Sequence, residues 1–252
     1  GCTGVTKSVV ITINPTPVVT ITPASQTICS GSGPSIALTS NVSSTTFNWT
    51  VSQTGVSGAS DGSGATIDQI LTTTGGVSGT ATYTITPTAA GCNGISKTVV
   101  ITVKPTPVVT ATPASQTICS GTSTSIVLTS TLPGTLFGWT VAQTGVSGAV
   151  STSGAVISQS LTATGTTAGT ATYSVTPSLN GCSGATKTVV ITVNPTPIVT
   201  PTPASQSICS GTATSIALTS NVGGTSFAWT IAQAGVSGAT ASSGTTINQT
   251  LT

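Results

Sequence analysis

The sequence predicts an all-β protein built from tandem small β-sandwich domains. The stretch TKTVVITVNPTPIVT begins at Thr186, and close copies of it begin at Thr6 and Ser96, so the copies stand 90 residues apart. A 90-residue unit is longer than helical or leucine-rich repeats and suits a seven-stranded sandwich. Within each unit apolar residues alternate with Thr and Ser, and no segment has helical periodicity.

The Pro-Thr-Pro segments divide the chain into four expected pieces. Residues 1–16 match the final strand of a copy, residues 17–106 and 107–196 are complete copies, and residues 197–252 are a copy with strands A to E only. These partial copies indicate a piece of a longer array. Because proline fixes φ and favours extended neighbours, we expect short, semi-rigid hinges. The hinge prolines are Pro15, Pro17, Pro105, Pro107, Pro195 and Pro197.

We expect seven strands, A to G, in the first complete copy. They are Val18–Thr22, Ser35–Ser40, Thr45–Val51, Val56–Ser60, Ala65–Leu71, Thr80–Thr86 and Lys97–Val103. Alternation on strand C directs Phe47, Trp49 and Val51 inward. The expected aromatic core residues are therefore Trp49, Trp139 and Trp229 on strand C, with Tyr83 and Tyr173 on strand F. Gln69, Gln159 and Gln249 recur between inward residues of strand E, so each needs either a backbone partner or a bulge that turns it outward.

The six cysteines form two series that repeat with the same period. Cys2, Cys92 and Cys182 precede strand G, whereas Cys29, Cys119 and Cys209 precede strand B. Our first expectation is pairing within a copy, Cys29 with Cys92 and Cys119 with Cys182. The turns that carry these residues lie at opposite ends of a plain sandwich, so a bond from Cys29 to Cys182 of the next copy stays open. Paired cysteines favour an extracellular setting.

The composition argues against enzymatic, metal and nucleic-acid chemistry. Only 2 % of the residues are charged and histidine is absent, which leaves Asp61 and Asp68 as the acids; the second copy has Ser151 and Ser158 in their places. Zinc and calcium sites need more ligands than this. A net charge of +2 makes no basic patch, and no apolar run is long enough for membrane insertion. We therefore expect no enzyme, no cofactor, no metal and no nucleic-acid partner.

Two sets of motifs resemble known families. The strand C Trp with the strand F Tyr resembles the immunoglobulin-like sandwich. The succession NPTPVVT, ASQTICSG, FNWT, ATYTITPTAAGCNG and KTVVITV resembles the PKD-like repeats of giant surface proteins in Bacteroidota-type bacteria. This resemblance implies tandem immunoglobulin-like (PKD-like) β-sandwich domains in an extended array. It also implies stalks of extracellular adhesins, including gliding adhesins exported by type 9 secretion, and it supplies no catalytic residues.

Two functions stay open at this point. The first is a structural stalk or filament of a cell-surface adhesin, whose partners would be neighbouring repeats, further copies in a fibre, and a glycan or surface ligand at a distal tip. A nearly uncharged β surface favours such self-association. The second is a module that presents variable loops to a glycan or protein. Those loops are NVSSTT, TLPGTL and NVGGTS before strand C, and SDGSG, VSTSG and TASSG before strand E.

Overall fold

The computed structural model describes residues 1–252 and contains strands but no helix, which confirms the all-β prediction. Its contacts define two compact units. The first contains Gly1–Val108, Thr131–Thr135 and Ser178–Gly184, and the second contains Val109–Ser130, Leu136–Pro177 and Ala185–Thr252. Two short segments of the second copy therefore belong to the unit that contains the first copy. No segment forms a helix with the length and apolar character that crossing a membrane requires.

The first copy contains strands β1 to β11. They are β1 (Val19–Thr22), β2 (Ser25–Cys29), β3 (Ile36–Ser40), β4 (Thr46–Thr54), β5 (Val56–Ser57), β6 (Gly62–Ser63), β7 (Thr66–Ile67), β8 (Thr72–Thr73), β9 (Gly79–Ala89), β10 (Cys92–Asn93) and β11 (Lys97–Lys104). Strands A, B, C, F and G of the sequence analysis correspond to β1, β3, β4, β9 and β11. The expected strand E is interrupted, since β7 and β8 flank the segment that contains Gln69.

The second and third copies continue the series. The second copy has β12 (Thr110–Thr112), β13 (Ser115–Cys119), β14 (Thr122–Ser123), β15 (Ile126–Thr129), β16 (Leu136–Thr144), β17 (Val146–Ser147), β18 (Thr152–Ser153), β19 (Val156–Ile157), β20 (Ser160–Ala163), β21 (Gly169–Leu179), β22 (Cys182–Ser183) and β23 (Lys187–Asn194). The third has β24 (Val199–Thr202), β25 (Thr212–Ala213), β26 (Ile216–Ser220), β27 (Ala228–Trp229), β28 (Ser242–Ser243), β29 (Thr246–Ile247) and β30 (Thr250–Leu251).

The first strand of the copy is divided between two sheets. β1 pairs antiparallel with β3, whereas β2 pairs parallel with β11 and places Cys29 opposite Lys104. The cis peptide bond between Thr22 and Pro23 lies between the two parts. The sequence analysis placed β2 in a turn, which was wrong. The second copy repeats this arrangement, with β13 parallel to β23.

Two main sheets enclose the core of the first copy, and β5 and β8 form a third, two-stranded sheet. The larger sheet has the order β2-β11-β9-β4-β6, with β10 on β9, and the smaller has the order β1-β3-β7. Along β9 the side chains alternate as predicted, because Tyr83 and Ile85 are fully buried while Thr82 and Thr84 are half-buried on the other face. The second copy builds an equivalent core around Tyr173 within the second unit.

The third copy lacks the equivalents of β9 and β11, and its aromatic residues are less covered. Trp49 and Trp139 are each 6 % exposed, whereas Trp229 is only half-buried. The face that β9 and β11 cover elsewhere is an open cleft of about 440 Å³ between Leu218, Phe227 and other residues. Trp229 as a core residue stays a prediction, because residues 197–252 contain no strand that covers this face.

Candidate functional site: the disulfide-linked joint

The turn between β21 and β22 is a tight two-residue hairpin that belongs to the first unit. Asn180 and Gly181 have φ of 50° and 87°, and Leu179 pairs with Cys182 across the turn. Two successive residues with positive φ favour an Asn-Gly dipeptide, which is present here. The turn therefore holds Cys182 at the start of a strand, in a fixed orientation.

Cys182 forms a disulfide bond with Cys29, which belongs to the first copy. The Cα atoms are 5.6 Å apart and the two residues are separated by 153 positions in the sequence. This distance lies in the usual range for a disulfide. Cys182 is 1 % exposed, so water hardly reaches that end of the bond. The chain thus joins two of its copies covalently.

The expected pairing within each copy is wrong. Cys29 lies beside Lys104 at the end of β11, whereas Cys92 begins β10, just before Lys97, where β11 begins. Eight extended residues separate these ends by more than ~20 Å, and a disulfide needs Cα atoms within about 7 Å. The alternative left open above, Cys29 with Cys182, is the bond that the structure contains. Cys2, Cys92, Cys119 and Cys209 are free thiols.

Hydrogen bonds support the disulfide on both sides. The Lys104 Nζ donates to the carbonyl oxygen of Asn180 at 3.0 Å. The Thr106 hydroxyl donates to the carbonyl of Ser30 at 2.9 Å, and the Ser30 N–H donates to the carbonyl of Lys104 at 2.8 Å. The residue after Cys29 is therefore tied to the end of β11 and to the Pro-Thr-Pro segment that follows it. We call this group of contacts the joint.

The TLPGTL segment also lies at the joint. Thr131–Thr135 belongs to the first unit, and Leu132 is 8 % exposed. A Cβ on Gly76 would lie 3.0 Å from Leu132 Cδ2, so the two segments are in close contact. Beside them is a cleft of about 440 Å³, lined largely by Ser, Thr and Pro. Leu132 is thus buried in a contact between copies, whereas Thr131, Pro133, Gly134 and Leu136 of the same segment are exposed.

The predicted hinge prolines differ in their surroundings. Pro17, Pro105 and Pro107 are buried, Pro195 is half-buried, and Pro15 and Pro197 are exposed. Proline supplies no N–H, so these residues can pack without leaving a donor unpaired. Burial at Pro105 and Pro107 indicates that this segment is held in place. Hinge motion at the other prolines stays a prediction.

A second joint of the same kind lies near the start of the chain. The Asn14 Nδ2 donates to the carbonyl of Ala90 at 3.1 Å, one period before the contact of Lys104 with Asn180. Ala90 has a φ of 47° in the turn before Cys92. A Cβ on Gly94 would lie 1.9 Å from the carbonyl oxygen of Pro17, so only glycine fits there. This joint has no disulfide.

The recurrent glutamine is satisfied by the backbone, as one of the two expected solutions required. The Ser60 N–H donates to Gln69 Oε1 at 3.0 Å, and Gln69 Nε2 donates to the Ser60 carbonyl at 3.0 Å. The Tyr83 hydroxyl donates to the same Oε1 at 2.9 Å, and the Trp49 Nε1 donates to the Ser60 carbonyl at 3.3 Å. The Gln69 amide therefore links Ser60 to Tyr83, and the Ser60 carbonyl also accepts from Trp49.

The second copy repeats this network and shows its electrostatic consequence. The Tyr173 hydroxyl donates to Gln159 Oε1 at 2.8 Å, and Gln159 Nε2 donates to the Val150 carbonyl at 2.7 Å. Burial disfavours the charged phenolate, so it raises the pKa of Tyr173 to about 12 and also raises the pKa of Tyr83. Both tyrosines are therefore neutral donors in ordinary solution.

The carboxylate of Asp61 binds the backbone of a neighbouring strand. Asp61 Oδ1 accepts a hydrogen bond from the Val51 N–H at 2.7 Å, and the hydroxyl of Ser151 accepts from the Val141 N–H at 3.1 Å in the second copy. An acid and a hydroxyl thus perform the same task at the edge of strand C. The SDGSG segment also contributes β6, which pairs with β4, so part of this expected loop is an edge strand.

Comparison with known proteins identifies the family. A model described as the PKD-like domain matches residues 26–107 and again residues 116–197. The chain belongs to the PKD-like domain family. It is a tandem of PKD-like, immunoglobulin-like sandwiches, as predicted. The boundaries proposed above, 17–106 and 107–196, remain a prediction. No curated protein sequence matches the chain.

Several solved structures are similar at low sequence identity. The human desmocollin-1 ectodomain is 12 % identical over 71 % of this chain and 42 % of its own, with a TM-score of 0.33. Dpr2 Ig1-Ig2 in complex with DIP-Theta Ig1-Ig3 is 13 % identical over 93 % of this chain and 88 % of its own, with a TM-score of 0.34. Protocadherin gamma B2 extracellular cadherin domains 3–6 are 14 % identical over 93 % of this chain and 67 % of their own, with a TM-score of 0.31. The chain thus spans less than half of the desmocollin ectodomain.

Proposed function

We propose that this PKD-like chain is a structural repeat segment, a stalk or filament, of a large extracellular cell-surface adhesin. Its task is to hold copies together under tension, and its partners are neighbouring copies of the same kind. The motifs that resemble gliding adhesins support a finer assignment to a gliding-motility adhesin exported by type 9 secretion. The disulfide between Cys29 and Cys182 is the observation that carries the proposal.

The disulfide changes the path of a pulling force. Tension that enters at residue 17 and leaves at residue 196 follows the backbone to Cys29, crosses the sulfur bond to Cys182, and continues along the backbone. Residues 30–181 lie outside this path, so they cannot extend while the bond is intact. At about 3.5 Å per extended residue, roughly 500 Å of chain is withheld from extension. Such protection suits a chain that is pulled.

The same features support an extracellular position. PKD-like and immunoglobulin-like domains with a disulfide fit an oxidising compartment, where the bond persists. The outer face of β9 carries Thr82, Thr84 and Thr86, so hydroxyls replace charges on this surface. This composition hydrates the sandwich without supplying acid–base groups.

The chain also supports a non-catalytic role. The PKD-like sandwich is typically a structural domain. The carboxylate of Asp61 caps a strand edge, and a serine hydroxyl takes its place in the next copy. General acid–base catalysis needs a titrating group placed against a reacting atom, and an interchangeable cap does not meet this requirement.

Single-molecule stretching between Gly1 and Thr252 tests the proposal. We expect the oxidised chain to lack about 500 Å of the unfolding extension that a Cys29→Ser, Cys182→Ser variant releases. Cys92→Ser is the matched control, because Cys92 is a free thiol in the same type of turn, and it should behave like the parent chain. Equal extensions in all three chains would contradict a tension-bearing stalk.

A glycan array probes the alternative of a binding module. The candidate loops for a ligand are the exposed residues of NVSSTT, TLPGTL and NVGGTS before strand C, and of SDGSG, VSTSG and TASSG before strand E. However, Asn41 Oδ1 accepts from the Val18 N–H, and Asn221 Oδ1 accepts from the Ile198 N–H, both at 2.7 Å. These side chains thus hold strand A of their own copies. Specific binding that is lost on substitution of Ser43 or Ser44 would favour the module instead.

A further inference from the structure

We propose that Cys92 forms a second disulfide bond between copies. Its partner is the cysteine of a preceding PKD-like copy that is equivalent to Cys29 at the end of β2. The partner is thus a strand with the ASQTIC pattern, one period before β2. This inference rests on the stalk proposal only in requiring neighbouring copies. If it holds, every joint between neighbouring copies contains a disulfide bond, and not only the joint between Cys29 and Cys182.

The turn that carries Cys92 has the geometry of the turn that carries Cys182. Ala90 and Gly91 have φ of 47° and 79°, and Cys92 pairs with Ala89 as Cys182 pairs with Leu179. Each cysteine therefore leaves its hairpin at the same point and along the same strand direction. The turn is built for the bond whether or not a partner is present.

The neighbouring contacts match as well. At the bonded joint, Lys104 binds the turn carbonyl through Nζ, and Cys29 lies directly opposite Lys104 in the parallel pairing of β2 with β11. At the other joint, Asn14 stands one period before Lys104 and binds the carbonyl of Ala90. A β2-type strand paired in the same register along residues 10–14 would bring its last residue, a cysteine, beside Asn14 and so beside Cys92.

Residues 10–14, on which this strand would pair, belong to no strand of this chain. Val10, Ile11 and Ile13 are 87 %, 82 % and 90 % exposed, whereas the equivalent residues of β11 are paired with β2 and β9. A strand with unpaired N–H and C=O groups is a template for another strand. The segment thus lacks the neighbour that β11 has.

The chemistry of the bond is ordinary thiol–disulfide exchange. The Cys92 thiolate attacks a low-molecular-weight disulfide such as oxidised glutathione, forms a mixed disulfide and releases one glutathione thiolate. The incoming cysteine thiolate then attacks the Cys92 sulfur and releases the second. Two protein thiols are oxidised, and one glutathione disulfide is reduced to two thiols.

An extended chain tests the inference. Residues 17–90 of this sequence are added before Gly1, so that residues 1–16 complete an added copy and its cysteine stands 153 positions before Cys92, as Cys29 does before Cys182. The chain is oxidised in a glutathione buffer and mapped by non-reducing peptide mass spectrometry. We expect the added cysteine to be linked to Cys92, with loss of Cys92 alkylation.

Two outcomes would overturn the inference. The added cysteine could pair with Cys2, which belongs to the same added copy, or Cys92 could stay fully alkylatable. A Cys29–Cys182 bond in the same sample shows that the extended chain is folded, so neither outcome reflects misfolding. In the Cys92→Ser variant the added cysteine should remain a thiol. Because stretching of the parent chain is a separate measurement, a failure here leaves the stalk proposal standing.

Discussion

The chain contains two joints of the same design, one with a disulfide and one without. At the first, Lys104 binds the carbonyl of Asn180 and Cys29 is bonded to Cys182; at the second, Asn14 binds the carbonyl of Ala90. The turn conformation and the hydrogen bond persist where no sulfur bond exists. The difference shows that the turn and its hydrogen bond form without a disulfide, and that the disulfide stabilises an arrangement which these contacts already produce.

The largest effect should come from removing the sulfur bond. Cys182→Ser releases a constraint on 153 residues of the unfolded chain, and we expect the free energy of unfolding to fall by about 2–5 kcal/mol. Cys92→Ser, in the unbonded turn, should change it by less than about 0.5 kcal/mol. Chemical denaturation under non-reducing conditions compares the two. Equal losses would show that the joints do not differ as described.

The next largest effect should come from breaking the joint that has no disulfide. In Gly94→Ala the new methyl would meet the carbonyl oxygen of Pro17, a backbone atom that cannot rotate away. We expect a loss of about 1–3 kcal/mol in the free energy of unfolding. Gly75→Ala is the control, since a Cβ there meets nothing within 4 Å. A loss as large in the control would contradict the packing argument.

A smaller and opposite effect should follow when the positive φ of the turn without a disulfide is given to a glycine. Ala90 has a φ of 47°, which L-residues with a Cβ adopt at a cost, whereas the bonded joint has Asn at this place. Ala90→Gly should therefore raise the free energy of unfolding by up to about 1 kcal/mol. Gly91→Ala, at a φ of 79°, should lower it. Thermal unfolding would show the two opposite shifts, and shifts of the same sign would contradict the turn assignment.

The smallest effect concerns alkaline pH and is zero at neutral pH. Burial raises the pKa of Tyr173 from 10.0 to about 12, so between these values the unfolded chain loses the phenol proton while the folded chain keeps it. Stability is thus complete below about pH 10 and falls as the pH rises towards 12. Tyr173→Phe should flatten this slope in denaturation curves measured from pH 9 to 12, and an unchanged slope would assign it to other groups.

Much of the fold could be predicted because its main strands carry a local pattern. Along β4 and β9 every second residue is apolar, and the face of Trp49 and Tyr83 follows directly from that alternation. β2 has no such pattern, since Ile28 is its one large apolar residue. It forms a strand because β11, far away in sequence, offers a parallel edge. The local pattern of apolar residues in β2 therefore does not predict its pairing with β11.

The error in the cysteine pairing has the same origin. The period of the sequence showed which cysteines were equivalent, but not at which end of the sandwich Cys29 lies. The direction of β2 decides that end, and it places Cys29 beside Lys104 and far from Cys92. The Gln69 amide was easier to anticipate, because a polar group between apolar neighbours must find a partner wherever it lies.

The spacing of the bonded cysteines also bears on how the gene can change. The disulfide joins two different sites in adjacent copies, one from each cysteine series, and its 153 positions cover one full period and part of the next. Deleting or duplicating one whole 90-residue copy restores the same register between every remaining pair of cysteines. Unequal recombination can therefore shorten or lengthen the gene by whole units without leaving a mismatched thiol inside the array.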